Sequence, residues 1–425
     1  MKVIVVGGGW AGSGAAIAAS NAGAQVTVLE RTDMLLGTGL VGGIMRNNGR
    51  FTATEEAIAL GANEIFNVVD NNCRHKNIEF PGHKHASLYD IATIEPAVKA
   101  LLKNKGIEVL TQARVKDVEM DGDKIVSVIL TNDEKLSADV FIDATGSAGP
   151  MNNCSKYGNG CAMCVLRCPT FGGRVSIAGK AGVTEKIGKK ADGSYGAMSG
   201  SCKLFKESLN KNIVDELDAK GVAIVAIPEE LKKGEGILAT KACQQYALKE
   251  FADNIILLDT GHAKLMTPYY PLDLLHKVPG FENARFEDPY SGGIGNSMRF
   301  MALAPRDNAL KVKGVSNLFC GGEKAGLLVG HTEAIVTGTL AGHNAVRWAA
   351  GKALLELPTE LCIGDAISYV NEAMETEEGM GKKYTFSGSV YFDRMKKLGL
   401  YSIDVSEIAA KVEKAGLTGV FSKKI

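Results

Sequence analysis

Val3-Ile4-Val5-Val6-Gly7-Gly8-Gly9-Trp10-Ala11-Gly12 is the stretch that decides the fold. Val3–Val6 is a short β-branched run of the kind buried in a parallel sheet. It leads into Gly7-x-Gly9-x-x-Gly12 and then the small-residue run Gly14–Ala19, which predicts a helix. Gln25–Leu29 predicts a second strand, ending in Glu30 and followed by Arg31. Gly7 permits the tight turn, Gly9 lets backbone amides approach a pyrophosphate, and Gly12 lets the helix pack close to the sheet. The helix N-terminus adds partial positive charge, and Glu30 stands where a ribose diol would donate to it. A lone glycine motif is weak, but here strand, helix, second strand and acid stand in order.

Two distant segments extend this picture. Ala138–Gly146 reads as a strand ending in the small turn Ala144-Thr145-Gly146, and Asn317–Glu323 is again strand, glycines and an acid. A helical run, His331 to Trp348, follows. Together the three pieces resemble the FAD-binding pattern of the glutathione-reductase-like flavoprotein superfamily. The resemblance covers roughly residues 1–150 and 285–350. It implies that Gly7, Gly9, Gly12, Glu30 and Arg31 hold the ADP half of FAD, beside Ala144, Thr145 and Gly146. It also implies that Gly322 and Glu323 meet the ribityl-phosphate region, and that His331 and Thr332 lie near the flavin ring.

Residues 94–146 strengthen it. A helix from Ile94 is followed by Ile107–Leu110, then by strands alternating at period two around the Asp121-Gly122-Asp123 turn. Such a three-stranded insertion marks the crossover of these flavoproteins and would set Arg114 and Val115 near the adenine. Four glycines fall within residues 37–43. In the superfamily a loop here admits the flat ring, so Gly42 and Gly43 are candidate flavin contacts, and Arg46 is a candidate catalytic residue. His331 and Lys324 are the other catalytic candidates, His331 because histidine titrates near neutrality. The run from Phe319 to Ala345 is similar to the C-terminal FAD motif of GidA-type and folate-dependent tRNA-uridine enzymes. It is similar almost as well to fumarate-reductase-like and heterodisulfide-reductase-like flavoproteins. From the tRNA enzymes it departs by two extra residues between Gly321 and Gly330 and by the lack of a cysteine in residues 37–50.

Four of nine cysteines crowd together as Cys154-x6-Cys161-x2-Cys164-x3-Cys168-Pro169. The last three with the proline match part of the bacterial ferredoxin run, although Cys154 lies farther off than that pattern asks. These thiols suit four roles: a [4Fe-4S] cluster held by all four, a redox pair centred on Cys161 and Cys164, a structural zinc, or plain cysteines. The cluster is the leading expectation. His83, His85, His262 and His276 show no partner pattern.

The expected fold class is α/β: a Rossmann-like FAD-binding domain with a three-stranded β insertion, a second α+β substrate domain and a helical C-terminal tail. The expected division is 1–150 with 285–350 for FAD, 151–284 for substrate and the cysteines, and 351–425 for the helical region. Within the second part Ile237–Glu250 predicts a helix, and Thr267–Pro271 a stiff aromatic turn that could wall a pocket or pack as a loop. Asp404-Val405-Ser406-Glu407 predicts a capped helix start and Gly416 its stop. Lys plus Arg equals Asp plus Glu, at 48 each, so no global basic field invites nucleic acid. No run of 18 apolar residues suggests a membrane span. No second glycine motif follows a strand, so a dedicated NAD(P)H domain is not expected. A cytoplasmic FAD-dependent oxidoreductase of a small molecule is the expected function, with a ferredoxin-like or NAD(P)H electron partner and a homo-oligomer left open. The alternatives are a flavin-dependent tRNA-modifying enzyme and an electron-transfer subunit of a larger complex.

Overall fold

A computed structural model of the chain describes residues 1–146, 175–189, 197–198, 202–240, 244–267, 270–287, 298–299 and 301–425. The central sheet has five parallel strands: β1 (Lys2–Val6), β2 (Gln25–Leu29), β3 (Glu108–Leu110), β4 (Val140–Asp143) and β5 (Leu318–Cys320). Their order is β5-β4-β1-β2-β3. Val3–Val6 and Val140–Ile142 are buried on both faces, which is why these strands read as unbroken apolar runs. From β1 the chain runs one way to β2 and β3, while β4 and β5 lie on the other side. The crevice beyond the strand ends at that reversal is where open α/β sheets take ligands.

Six helices matter for the site: α1 (Trp10–Asn21), α2 (Gly49–Ala59), α3 (His331–Ala349), α4 (Cys362–Ala373), α5 (Ser389–Lys397) and α6 (Val405–Lys414). α1 and α3 pack almost backbone to backbone. A side chain on Gly338 would lie 2.0 Å from the Ala11 carbonyl oxygen, and one on Gly342 would lie 2.1 Å from that of Ala15. The small residues of these segments therefore set the spacing of the two helices.

The predicted insertion is present as Val115–Asp121, Lys124–Leu130 and Lys135–Ser137, an antiparallel sheet. A second three-stranded sheet, Ile44–Met45, His83–Tyr89 and Cys73–Phe80, has His83–Tyr89 at its centre. Its apolar face (Ile44, Phe80, Ala86, Leu88) packs on Phe251 and on Val222, Ile256 and Leu258 of a four-stranded antiparallel sheet. That sheet runs Cys202–Leu204, Ala263–Leu265, Asn254–Asp259, Val222–Ala226. The helix expected at Ile237–Glu250 is not continuous. Its described residues form 3-10 turns at Glu235–Thr240 and Gln244–Tyr246 and a short helix at Glu250–Asp253. Leu238 and Phe251 are each anchored separately in the apolar layer, and that packing overrides the helical period.

The C-terminal helices share the main core with the central sheet through Ile363, Ile367, Val370, Tyr391, Met395 and Val412. Phe421 N–H donates to the Leu60 carbonyl at 2.8 Å, and Thr52 Oγ1 donates to that of Ser402 at 2.7 Å. Among the described residues no helix is long and apolar enough to cross a membrane.

Candidate active site

The N-terminal motif behaves as its glycines demand. Gly7 has φ +104°, and a side chain there would meet the Ala144 carbonyl oxygen at 2.3 Å. A side chain on Gly12 would lie 1.8 Å from the Gly7 carbonyl oxygen, so α1 can start this close to β1 only with glycine there. Gly9, Gly37 and Gly146 instead face open space. The bridge between Gly9 and Leu36, and the contact of Gly7 with Ala144, bring the Gly37 and Gly146 turns beside the mouth of α1. No acid stands in the first turn of α1, so its unpaired N–H groups present undiminished positive partial charge.

Glu30 is buried at the end of β2. Its Oε2 accepts from Gly8 N–H at 2.9 Å, and its Oε1 accepts from Thr32 N–H at 2.9 Å and Thr32 Oγ1 at 3.1 Å. Oε2 keeps a lone pair for a further donor. Arg31 follows, half-buried. Ala113 N–H donates to the Glu30 carbonyl at 2.9 Å, which carries Arg114 and the buried Val115 alongside. On the other flank Thr145 N–H and Oγ1 donate to Asp143 Oδ1 at 3.2 and 2.7 Å. Gly321 N–H donates to the Asp143 carbonyl at 3.1 Å. Gly322 N–H donates to Thr337 Oγ1 at 2.9 Å, so the Gly322-Glu323 turn joins β4 to α3. An open glycine mouth, a helix end and a buried acid with spare acceptor capacity fit the ADP half of FAD. Gly7, Gly9, Gly12, Glu30, Ala144, Thr145 and Gly146 would hold it.

At the start of α3, His331 presses on the glycine loop: a side chain on Gly42 would lie 1.5 Å from its Cε1. Tyr89, fully buried, donates its hydroxyl to the Gly39 carbonyl at 2.6 Å, and the same oxygen lies 3.2 Å from His331 Nδ1. Trp10 meets Tyr89 edge-on, with ring centroids 5.8 Å apart, and His331 at 6.3 Å. From the four-stranded sheet, Lys264 donates to the carbonyls of Val41 (2.7 Å) and Gly42, and Thr260, in the turn before that strand, packs on Gly43. Thr332 is buried, its hydroxyl 3.6 Å from Met45 Sδ. This loop is thus gripped from three directions. Tyr89 and Lys264 lie in no local motif and were missed; Trp10, inside the glycine motif, was missed too but stood where it could have been noticed.

The two other catalytic candidates lie elsewhere. Arg46 donates to Asp70 Oδ1 at 2.9 Å and Oδ2 at 2.7 Å, and also pairs with Glu55. Lys324 is fully buried, paired with Glu185 and 3.8 Å from Asp143 Oδ2. Arg50, which sequence reasoning passed over, holds the first turn of α3. Its Nε donates to Glu333 Oε1 and Oε2 at 3.1 and 3.0 Å, and its Nη2 to Thr385 Oγ1 at 3.1 Å. Glu333 also accepts from Thr385 Oγ1 at 2.7 Å and Phe386 N–H at 2.9 Å.

Cys154, Cys161, Cys164 and Cys168 lie outside the described residues. Among the described residues no group of three or more His, Cys, Asp or Glu side chains is arranged to hold a metal ion. Burial pushes the thiols of Cys73 and Cys320 up to about 12 and raises that of Cys362. Pro268 and Tyr269 of the aromatic turn also lie outside the described residues, while the buried Tyr270 donates its hydroxyl to the Leu231 carbonyl at 3.2 Å.

Residues 2–151 match the family described as FAD dependent oxidoreductase, and residues 259–353 match Glucose inhibited division protein A. Over these two stretches the chain is similar to FAD-dependent oxidoreductases and to GidA, and each match covers less than half of it. The fold matches two crystal forms of Aquifex aeolicus GidA at TM-scores of 0.65 and 0.64, each at 16% identity and over 97% of the chain. It covers 76% and 78% of those chains. At that identity the likeness is one of fold. A curated relative is the methylenetetrahydrofolate–tRNA-(uracil-5-)-methyltransferase TrmFO of Caldicellulosiruptor bescii, 31% identical over 107 residues. That match spans 25% of the chain and about a quarter (24%) of the relative.

Proposed function

We propose that the protein is an FAD-dependent oxidoreductase that exchanges electrons with a small organic molecule at the face where His331 meets the Gly37–Gly43 loop. One observation carries this reading: Trp10, Tyr89 and His331 come from three separate segments and converge on that loop. FAD supplies hydride or single-electron transfer when bound. The protein's own groups orient the substrate against the aromatic rings, and His331 takes or gives a proton. The second half-reaction runs in the cytosol through NAD(P)H, a ferredoxin-like protein, or a centre on Cys154, Cys161, Cys164 and Cys168. Only the cysteine spacing supports that last route.

Anaerobic purification followed by flavin, iron and sulfide analysis tests the cofactor set. Titration with NADH, NADPH and reduced ferredoxin then tests the donor. Bound FAD that one of these reduces supports the proposal, and protein that never acquires FAD overturns it. Flavin without iron or sulfide removes the cluster alone.

The second reading, a flavin-dependent tRNA-modifying enzyme, is favoured by the match of residues 259–353 and by the TrmFO relative. The balanced charge argues against it, and among the described cysteines burial makes the thiols of Cys73, Cys320 and Cys362 poor nucleophiles. Tight tRNA binding that weakens steeply with salt would decide for it.

A further inference from the structure

We infer that Tyr89 is a positioning residue that fixes the protonation form of His331, leaving Nε2 as its basic nitrogen. The inference deepens the reading of His331 as the proton-transfer group and rests on it. The Tyr89 oxygen lies 2.6 Å from the Gly39 carbonyl oxygen, which can only accept. The single hydroxyl proton is therefore committed there. The same oxygen lies 3.2 Å from His331 Nδ1, and with its proton spent it can only accept from that nitrogen. In the neutral imidazole Nδ1 must then carry the hydrogen, and the lone pair sits on Nε2. Free histidine favours the opposite form, so the protein is imposing a choice through the partner of the other ring nitrogen.

The ring is held so that it cannot evade this bond. Its Cε1 side lies against Gly42, where not even a methyl group would fit. The first turn of α3 is fixed from behind, since Glu333 accepts from Arg50, Thr385 and Phe386 N–H. Turning the imidazole over would bring a carbon against the tyrosine hydroxyl. Removing only the hydroxyl oxygen, as Phe would, leaves the edge-on contact with Trp10 in place.

Nitrogen NMR of the FAD-loaded full chain with 15N-histidine tests this. The His331 signals are identified by their loss in His331→Gln. Above the imidazole pKa the wild-type protein should show a pyrrole-type Nδ1 and a pyridine-type Nε2. Tyr89→Phe should shift the ratio of the two forms toward Nε2–H by about three- to tenfold, the equilibrium worth of one hydrogen bond. A wild-type His331 with its proton mainly on Nε2 overturns the inference, as does a Tyr89→Phe protein that keeps it on Nδ1. The wild-type spectrum decides by itself if Tyr89→Phe does not fold. Failure of the underlying reading shows separately, as a His331→Gln protein whose flavin is reduced and reoxidised at the wild-type rate by the donor found above.

Discussion

His83 lies between the rings of Phe80 and Tyr246, at centroid distances of 4.6 and 4.8 Å. The Asn47 amide donates to its Nδ1 at 3.0 Å, and its Nε2 donates to the Gln245 carbonyl at 3.1 Å. Burial pushes its pKa down from 6.5 to about 3. Below pH 6.5 the unfolded chain takes up this proton, while the folded chain refuses it until near pH 3. Stability is therefore complete above pH 6.5 and is lost as pH falls through that window, by about 2 kcal/mol at pH 5. Urea titrations at pH 7 and pH 5 should show that loss, and His83→Gln should remove most of the difference. At Gly42 the consequence is catalytic: Gly42→Ala drives a methyl into the His331 ring. Flavin turnover should fall at least about tenfold while the melting temperature barely moves, because a side chain and not backbone must yield. The sequence made His331 and the glycine loop legible, since both sit on local motifs. Tyr89 was not legible, because its role depends on a carbonyl fifty positions away and on no pattern of its own.

Elements show the same division between local and distant causes. Asp404 caps α6 as its sequence predicts, accepting from Ser406 N–H at 2.8 Å and Glu407 N–H at 3.1 Å, and Gly416 follows with φ +70°. The cap of α4 comes from elsewhere. Glu56, on α2 and buried, accepts from Cys362 N–H at 2.8 Å, Ile363 N–H at 3.0 Å and the Cys362 thiol at 3.1 Å. Asp404→Ala should cost about 1 kcal/mol. Glu56→Ala strands two buried N–H groups and should cost about 2–4 kcal/mol by denaturant titration. No capping residue precedes Cys362 in sequence to announce this, whereas the central strands β1, β2, β4 and β5 were each legible from their own residues.

At the scale of the molecule, the C-terminal residues are part of the site's support. Segment 384–387 meets α3 and α2 through the buried pair of Arg50 and Glu333, with Thr385 bonded to both. Tyr384 N–H donates to the Leu327 carbonyl at 2.9 Å, and Val329 N–H donates to that of Tyr384 at 2.8 Å. Arg50→Met leaves a buried carboxylate without its cation and should destabilise the protein by about 3–5 kcal/mol. Loss of FAD should accompany unfolding at the same denaturant concentration, measured by flavin fluorescence and circular dichroism together. Composition gave no hint of this coupling. The helical tail was legible as helix, but what it supports is decided by Arg50 and Glu333, hundreds of positions apart in the chain.

The bare contact of α1 with α3 also imposes a schedule. Ala11 and Ala15 pack directly on Gly338 and Gly342, and Gly322 also lies against Ala11, so the glycine mouth is complete only when both helices are in place. During synthesis the first strand–helix–strand unit must wait for some 300 further residues, on the order of 15–60 s at ordinary elongation rates. Until then its small-residue helix is a surface in search of a partner, available to chaperones and open to mispairing. With FAD held at that mouth, the nascent chain should acquire it only after residue 349 has left the ribosome.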